Sequence, residues 1–294
     1  MATYRIGTCS WRYPSWGGLI YDEADERGLL AQYADRYTTV EVDRWFWSLF
    51  GPKNLQLPHR VDVEAYGASV PESFRFAVKI PDALTLTHHR AKSRNAALLP
   101  NEWFLDTGLF HRFWECVAPL HGVLGPLIFQ FEYLNRQKMC DLDTFMSRLG
   151  DFAVQLPKGP IYALETRNRH FIRQGLFDFL KTIGWVPALI SGYWMPSPLD
   201  VYDLFEETLL QFPAIILRLL GPDRARIEHL TGKQWDRIVA PRDAELRGLA
   251  EMVLRLARAG VTPWIYVNNH YEGSAPLTID RLQSLLANLV TPSS

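Results

Sequence analysis

Short apolar runs rich in β-branched and aromatic residues recur along the chain, separated by stretches whose apolar residues return at helical spacing. Eight runs read as strands: Tyr4–Thr8, Thr39–Asp43, Arg75–Ile80, Pro126–Phe131, Ile161–Thr166, Val186–Ile190, Ala214–Leu219 and Pro263–Val267. Between them, Arg27–Tyr37, Leu109–Leu120, Asp141–Leu149, Phe171–Ile183, Asp243–Ala259 and Thr278–Val290 carry the helical period. The connectors Pro52–Tyr66 and Leu199–Leu210 carry it weakly and are expected to be partly loop. The stretch Thr208–Ile216 also reads as helix running into strand.

Alternating strands and helices are what parallel βαβ units produce, and eight is the number that closes a barrel. The expected fold is therefore α/β, a single (β/α)8 TIM-type barrel over residues 1–294 with its core from residue 4 to residue 290. No low-complexity linker divides the chain and no short repeat appears. An open doubly wound sheet has the same element order, but it announces itself by a Gly-rich phosphate loop after its first strand. Here that strand leads into Cys9-Ser10-Trp11-Arg12-Tyr13-Pro14, and neither GxGxxG nor a Walker sequence occurs.

Composition narrows the classes. Over 294 residues, 48% are hydrophobic and 21% charged, an ordinary globular balance. The formal charge is -1, from 31 basic and 32 acidic residues, so no global field draws polyanions or anionic lipid, and any nucleic-acid contact must be a local patch. Cys9, Cys116 and Cys140 form no CxxC pair, which speaks against a disulfide framework or zinc ribbon and for a reducing cytoplasm. Neither a secretory leader nor a membrane span is expected. Cys9 would need a neighbouring base to act as a nucleophile, and none is identifiable; it reads as a small buried thiol.

Residues two apart on a strand share a face. Glu41 and Asp43 share one on the second run, Arg75, Ala77 and Lys79 on the third, Gln130 and Glu132 at the end of the fourth. Ala163, Glu165 and Arg167 follow on the fifth, Ile216 and Arg218 on the seventh, Tyr266 and Asn268 on the eighth. Each run is apolar first and polar last, which places a candidate ligand site at the carboxyl ends of the strands. The alternative is a structural network in which Glu41, Lys79, Glu165, Arg167 and Arg218 neutralise one another. Trp11, Tyr13 and Trp16 follow the first run, and Trp45, Phe46 and Trp47 the second, either as walls of a pocket or as core packing.

Several segments together resemble a known family. They are Ile6-Gly7-Thr8-Cys9-Ser10-Trp11 with Tyr13-Pro14 and Trp16, Tyr37 to Asp43, Phe74 to Pro81, Gly125 to Phe131, Tyr162 to Arg167, Arg218 to Gly221, and Tyr266-Val267-Asn268-Asn269 with Ala275-Pro276. In this order they resemble the YecE-like family, also called domain of unknown function 72. The resemblance implies a TIM-barrel-like fold with a polar pocket at the strand ends and no assigned general activity. It puts Glu41, Lys79, Glu165, Arg167, Arg218, Asn268 and Asn269 on recurrent polar places, and His88 on a histidine that often follows the third strand. Asp43 stands where asparagine is common, Thr166 where Phe or Ile often sits, and Phe131-Glu132 where many members read Leu-Pro-Pro.

Three cations, Lys79, Arg167 and Arg218, favour an anionic ligand, since a guanidinium fork matches phosphate or carboxylate. The expectation is an enzyme acting on a phosphate- or carboxylate-bearing small molecule or a phosphodiester, by hydrolysis or isomerisation. Glu165 or Glu41 would move the proton. Gln130, Asn268, Asn269, Trp11, Tyr13, Trp47 and His88 would contact substrate. The alternative is a non-catalytic binder of sugar phosphate or nucleic acid. No cofactor is expected; a magnesium site from Glu41, Asp43 and Glu165 is opposed by the nearby cations. A glycosidase has its two carboxylates but no fixed separation between them. Gly221-Pro222-Asp223-Arg224-Ala225-Arg226 either extends the anion site or is a solvated turn.

Overall fold

The structure is a computed structural model that describes residues 3–22, 25, 27–52, 54–90 and 97–290. Its strands are β1 (Arg5–Thr8), β2 (Thr39–Val42), β3 (Leu49–Gly51), β4 (Asn54–Leu55), β5 (Arg75–Lys79), β6 (Leu124–Gln130), β7 (Tyr162–Glu165), β8 (Val186–Gly192), β9 (Ala214–Gly221) and β10 (Thr262–Val267). Its helices are α1 (Leu29–Arg36), α2 (Arg60–Ala68), α3 (Asp82–Thr85), α4 (Thr107–Cys116), α5 (Leu142–Ala153), α6 (Gln174–Ile183), α7 (Pro198–Leu209), α8 (Arg224–Thr231), α9 (Asp243–Arg258) and α10 (Ala275–Val290). Eight strands follow the order β1-β10-β9-β8-β7-β6-β5-β2, and β3 and β4 form a separate antiparallel hairpin. With parallel pairing and intervening helices, this is the (β/α)8 TIM-type fold. All eight expected strands are present, with ends within about two residues of those expected.

The described chain comprises two compact units, residues 1–41 with 186–294, and residues 42–185. In the first unit, the register carries Ile190 beside Arg218, Arg218 beside Tyr266, and Tyr266 beside Gly7. A Cβ on Gly7 would lie 1.9 Å from the carbonyl oxygen of Thr39, so β1 runs hard against the start of β2, and glycine is what permits it. All eight residues of β9 are buried. A strand sequence of AIILRLLG has no solvent face, so its one charge, Arg218, must find a partner inside.

In the second unit, face assignment follows from the aromatic contacts. Phe76 packs on Tyr66 of α2, and Phe129 and Tyr162 pack on Phe110 of α4, so these strand residues face the helices. By alternation Ala77 and Lys79, Ile128 and Gln130, and Ala163 and Glu165 face the other way. Lys79 lies beside Ile128, Ile128 beside Ala163, and Gln130 beside Glu165. Lys79, Gln130 and Glu165 are the last residues of three neighbouring strands and share the inward face.

Helix ends are written in the sequence. Asp106, Asp141 and Asp223 accept main-chain N–H bonds at the starts of α4, α5 and α8, and Ser197 with Asp200 forms a capping box on α7. Of the two weak connectors, Pro52–Tyr66 is partly loop as expected, at residues 56–59, and Leu199–Leu210 is not. Leu199–Leu210 is helix throughout α7, broken only by the non-helical backbone of Phe205, and Pro52–Tyr66 contains β4 and most of α2. The capping box and the proline in its first turn stabilise α7 although its periodicity is poor. Among the described residues no helix is long and apolar enough to cross a membrane.

Candidate functional site

Arg218 and Glu41 meet in the first unit. Arg218 Nε donates to Glu41 Oε2 and Arg218 Nη2 to Glu41 Oε1, each at 2.7 Å, and both residues are buried. A bidentate fork of this kind satisfies two buried charges at once. Tyr266, beside Arg218 in the register, shares a hydrogen bond of 3.0 Å with Thr39 on the strand that carries Glu41. Burial, with Glu41 nearby, pushes the Tyr266 phenol well above its ordinary range, so it stays a neutral hydrogen-bonding group.

A second pair stands in the other unit. Arg167 Nη2 lies 2.6 Å from Glu165 Oε1, with Glu165 fully buried. Gln130 ends β6 beside Glu165. Lys79, also buried, carries its ammonium 3.8 Å from the centre of the Phe46 ring, a cation–π contact. Neutralisation within the charged set is thus realised for Glu41 with Arg218 and for Glu165 with Arg167.

His88 is half-buried and its Nδ1 lies 2.9 Å from Thr87 Oγ1. Thr87 N–H and Oγ1 both donate to Glu132 Oε1, at 3.3 and 3.1 Å, and Lys138 holds Glu132 Oε2. Burial and the nearby Lys138 charge lower the His88 pKa from its ordinary value, with Glu132 opposing. Neither Thr87 nor Lys138 is among the expected site residues; the only sequence signal was Glu132, an unusual carboxylate in its loop.

Asn268 and Asn269 serve the turn after β10. Asn268 Oδ1 accepts from His270 N–H at 3.0 Å and contacts His270 Nδ1 at 2.5 Å. His270 Nε2 is 3.1 Å from Glu228, which also accepts from Arg224 at 2.6 Å. Hydrogen bonding from Arg224, with His270 adding to it, holds the Glu228 carboxyl at about 2. Asn269 is buried; its Oδ1 accepts from Ala275 N–H at 2.8 Å, while Nδ2 has no hydrogen-bond partner among the described residues.

The aromatic rings divide. Trp11, Trp16, Trp45 and Phe46 are buried, the packing alternative. Tyr13 is half-buried with its ring 4.7 Å from that of Trp16, and the Trp11 carbonyl accepts from the Tyr21 hydroxyl. Trp47 is 55% exposed and lines a cavity of about 660 Å³ with Phe50, Asp82, His89, Arg90 and Leu99. Arg90 covers the Trp47 ring at 4.7 Å while pairing with the buried Asp82 at 2.8 Å.

Cys9 is buried and is not in a disulfide. In Gly221 to Arg226, residues 222–226 are exposed, Asp223 caps α8, and Arg224 is tied to Glu228 one turn on. Among the described residues no three His, Cys, Asp or Glu side chains are grouped to hold a metal ion.

A family model described as protein of unknown function DUF72 matches residues 5–293. Solved structures of two bacterial DUF72 family proteins share the fold. One, from Enterococcus faecalis V583, is 18% identical with a TM-score of 0.67, covering 99% of this chain and 97% of that one. The other, from Thermotoga maritima MSB8, is 18% identical with a TM-score of 0.65, covering 98% of this chain and 99% of that one. No curated protein matches the chain.

Proposed function

The chain belongs to the DUF72 family of proteins of unknown function, and from that premise we propose that it is an enzyme acting on an anionic substrate, a phosphate- or carboxylate-bearing small molecule or a phosphodiester. Lys79 and Arg167 stabilise the charge that develops on the substrate, Gln130 orients it, and Glu165 handles the proton. Glu41 and Arg218 form a second set of the same composition. The observation that carries this reading is the inward-facing row of strand-terminal residues Lys79, Gln130 and Glu165, with Arg167 immediately beyond. Barrel chemistry is done at the carboxyl ends of strands, and fixed charges away from water act more strongly than the same charges at the surface.

A second reading, a non-catalytic binder of sugar phosphate or nucleic acid, draws on the engagement of both glutamates by guanidinium groups. Consumption of the ligand separates the two. A thermal-shift screen of inorganic phosphate, phosphorylated sugars, carboxylates, nucleotides and short oligonucleotides, with and without magnesium or manganese, tests both. A ligand at a hundred times its Kd stabilises by about 2.7 kcal/mol. Under the enzymatic reading a small anion stabilises and is then consumed, and Glu165→Gln keeps the stabilisation while abolishing turnover. Stabilisation by oligonucleotides alone, without turnover, rejects it.

A further inference from the structure

Thr87 and His88 follow the end of β5, and Glu132 follows the end of β6. A threonine hydroxyl has one proton to give, and a carboxylate held by lysine only accepts. The bond from Thr87 Oγ1 to Glu132 Oε1 at 3.1 Å therefore uses that proton, and the contact of 2.9 Å between Thr87 Oγ1 and His88 Nδ1 places the imidazole hydrogen on Nδ1. The opposite arrangement, with the hydroxyl aimed at Nδ1, exchanges a charge-assisted bond to carboxylate for a neutral one, the weaker of the two. A neutral imidazole with hydrogen on Nδ1 has a bare lone pair on Nε2. Among the described residues Nε2 has no hydrogen-bond partner.

We infer that His88 Nε2 is a proton acceptor of the enzyme proposed above, with Thr87 and Glu132 as positioning residues that fix its tautomer. This rests on the enzymatic reading and narrows it to hydrolysis. Nε2 takes a proton from water as the water oxygen bonds to the phosphorus or carbonyl carbon of the substrate. It returns that proton to the oxygen that leaves as its bond to the same atom breaks. Between the two transfers the imidazolium donates from Nδ1 to Thr87, whose hydroxyl is held by Glu132. The depressed His88 pKa keeps the ring neutral, and thus able to accept, at pH 7. In this narrower form His88 takes over the proton transfer assigned above to Glu165, because Glu165 and Glu41 already face guanidinium groups, whereas among the described residues the Nε2 lone pair of His88 has no hydrogen-bond partner.

The first test needs no substrate. Long-range proton–nitrogen spectra of the histidine-labelled full chain, with the His88 signal assigned by its loss in His88→Gln, report the tautomer. The expected result is hydrogen on Nδ1 and a pyridine-like Nε2, with Thr87→Val shifting the population toward hydrogen on Nε2. The second test maps histidine carbethoxylation by diethyl pyrocarbonate with mass spectrometry. Inorganic phosphate at ten times the Kd found by thermal shift is expected to slow His88 modification about tenfold, as occupancy of one site requires. Hydrogen on Nε2 in the unmodified chain overturns the inference and leaves the proposed function standing. So does phosphate that stabilises the protein without protecting His88. If no anion stabilises the chain at all, it is the enzymatic reading that fails, and the inference with it.

Discussion

Removing Glu41 while keeping Arg218 should destabilise the protein more than removing both. The two side chains meet through two bonds of 2.7 Å, with side-chain exposures of 0% and 4% for Glu41 and Arg218, so solvent screening does not weaken the pair as it would at the surface. Glu41→Leu leaves a guanidinium buried on a strand without solvent access, a change that costs about 3–5 kcal/mol. That is about a fifth or more of the whole stability of an ordinary domain, about 5–15 kcal/mol. Arg218→Met strands the carboxylate and should cost a similar amount. The double variant Glu41→Leu/Arg218→Met removes both charges and both desolvation costs, and should lie within about 2 kcal/mol of the starting protein, on either side. Simple addition of the single effects would predict a loss of about 6–10 kcal/mol, so the coupling energy itself is the signal. Urea unfolding followed by two probes measures it, the second probe checking that the chain unfolds in one step. Should Glu41→Leu not accumulate, the cycle is built with Glu41→Gln in both the single and the double variant. A single variant costing under about 1 kcal/mol, or a double variant as damaged as the sum, would refute the claim that these charges are held by one another.

Further predictions follow from the same geometry. Lys79→Ala should abolish stabilisation by inorganic phosphate, and in the unmodified chain that stabilisation should decline only gently with added salt, because Lys79 is buried; a steep decline would point to surface binding. Burial, joined by Arg224 and Lys233 and opposed by Glu228, holds the His270 pKa below 6.5, its ordinary value; burial and Lys138 do the same for His88. Each ring binds its proton more readily in the unfolded chain, so the stability it confers is complete above 6.5 and is lost as pH falls through that value toward the folded pKa. Urea midpoints across this window should drop on acidification, and His270→Gln should flatten the drop; an unchanged slope in that variant contradicts the assignment. Gly7→Ala would drive a Cβ to 1.9 Å from the Thr39 carbonyl oxygen, backbone against backbone, at a cost of about 3 kcal/mol or more. Its denaturation midpoint, or failure to accumulate as soluble protein, checks this; near-normal stability would mean that β1 and β2 can part.

The fold was legible because strands buried on both faces have no other way to be written than as apolar runs, and helices against them keep a narrow apolar stripe. What escaped was local. α8 has a weak stripe and is announced instead by its cap Asp223 and by the Arg224–Glu228 spacing of one turn, signals easily taken for a mixed-charge loop. α7 likewise depends on Ser197 and Asp200 more than on periodicity. Parity within each strand grouped Lys79 with Ala77, Gln130 with Glu132 and Glu165 with Ala163, and the aromatic contacts on the opposite face of β5, β6 and β7 turn Lys79, Gln130 and Glu165 inward.

Parity cannot say which charge holds which. Nothing in the spacing of residues 41 and 218 predicts a two-point contact, because that pairing is set by where two distant strands come to lie. The same limit hid Thr87, which is unremarkable in its own loop and acquires a role only through Glu132, in the loop after the next strand; Lys138 shares that loop with Glu132 and pairs with it across six residues. Chemistry at a strand end therefore depends on two layers of information. The residue types and their facing are local and readable, while the protonation state of each group is set by a neighbour from elsewhere in the chain. His88 illustrates the difference: a neutral imidazole has two tautomers, and under the proposal above it is the carboxylate beyond Thr87 that selects between them.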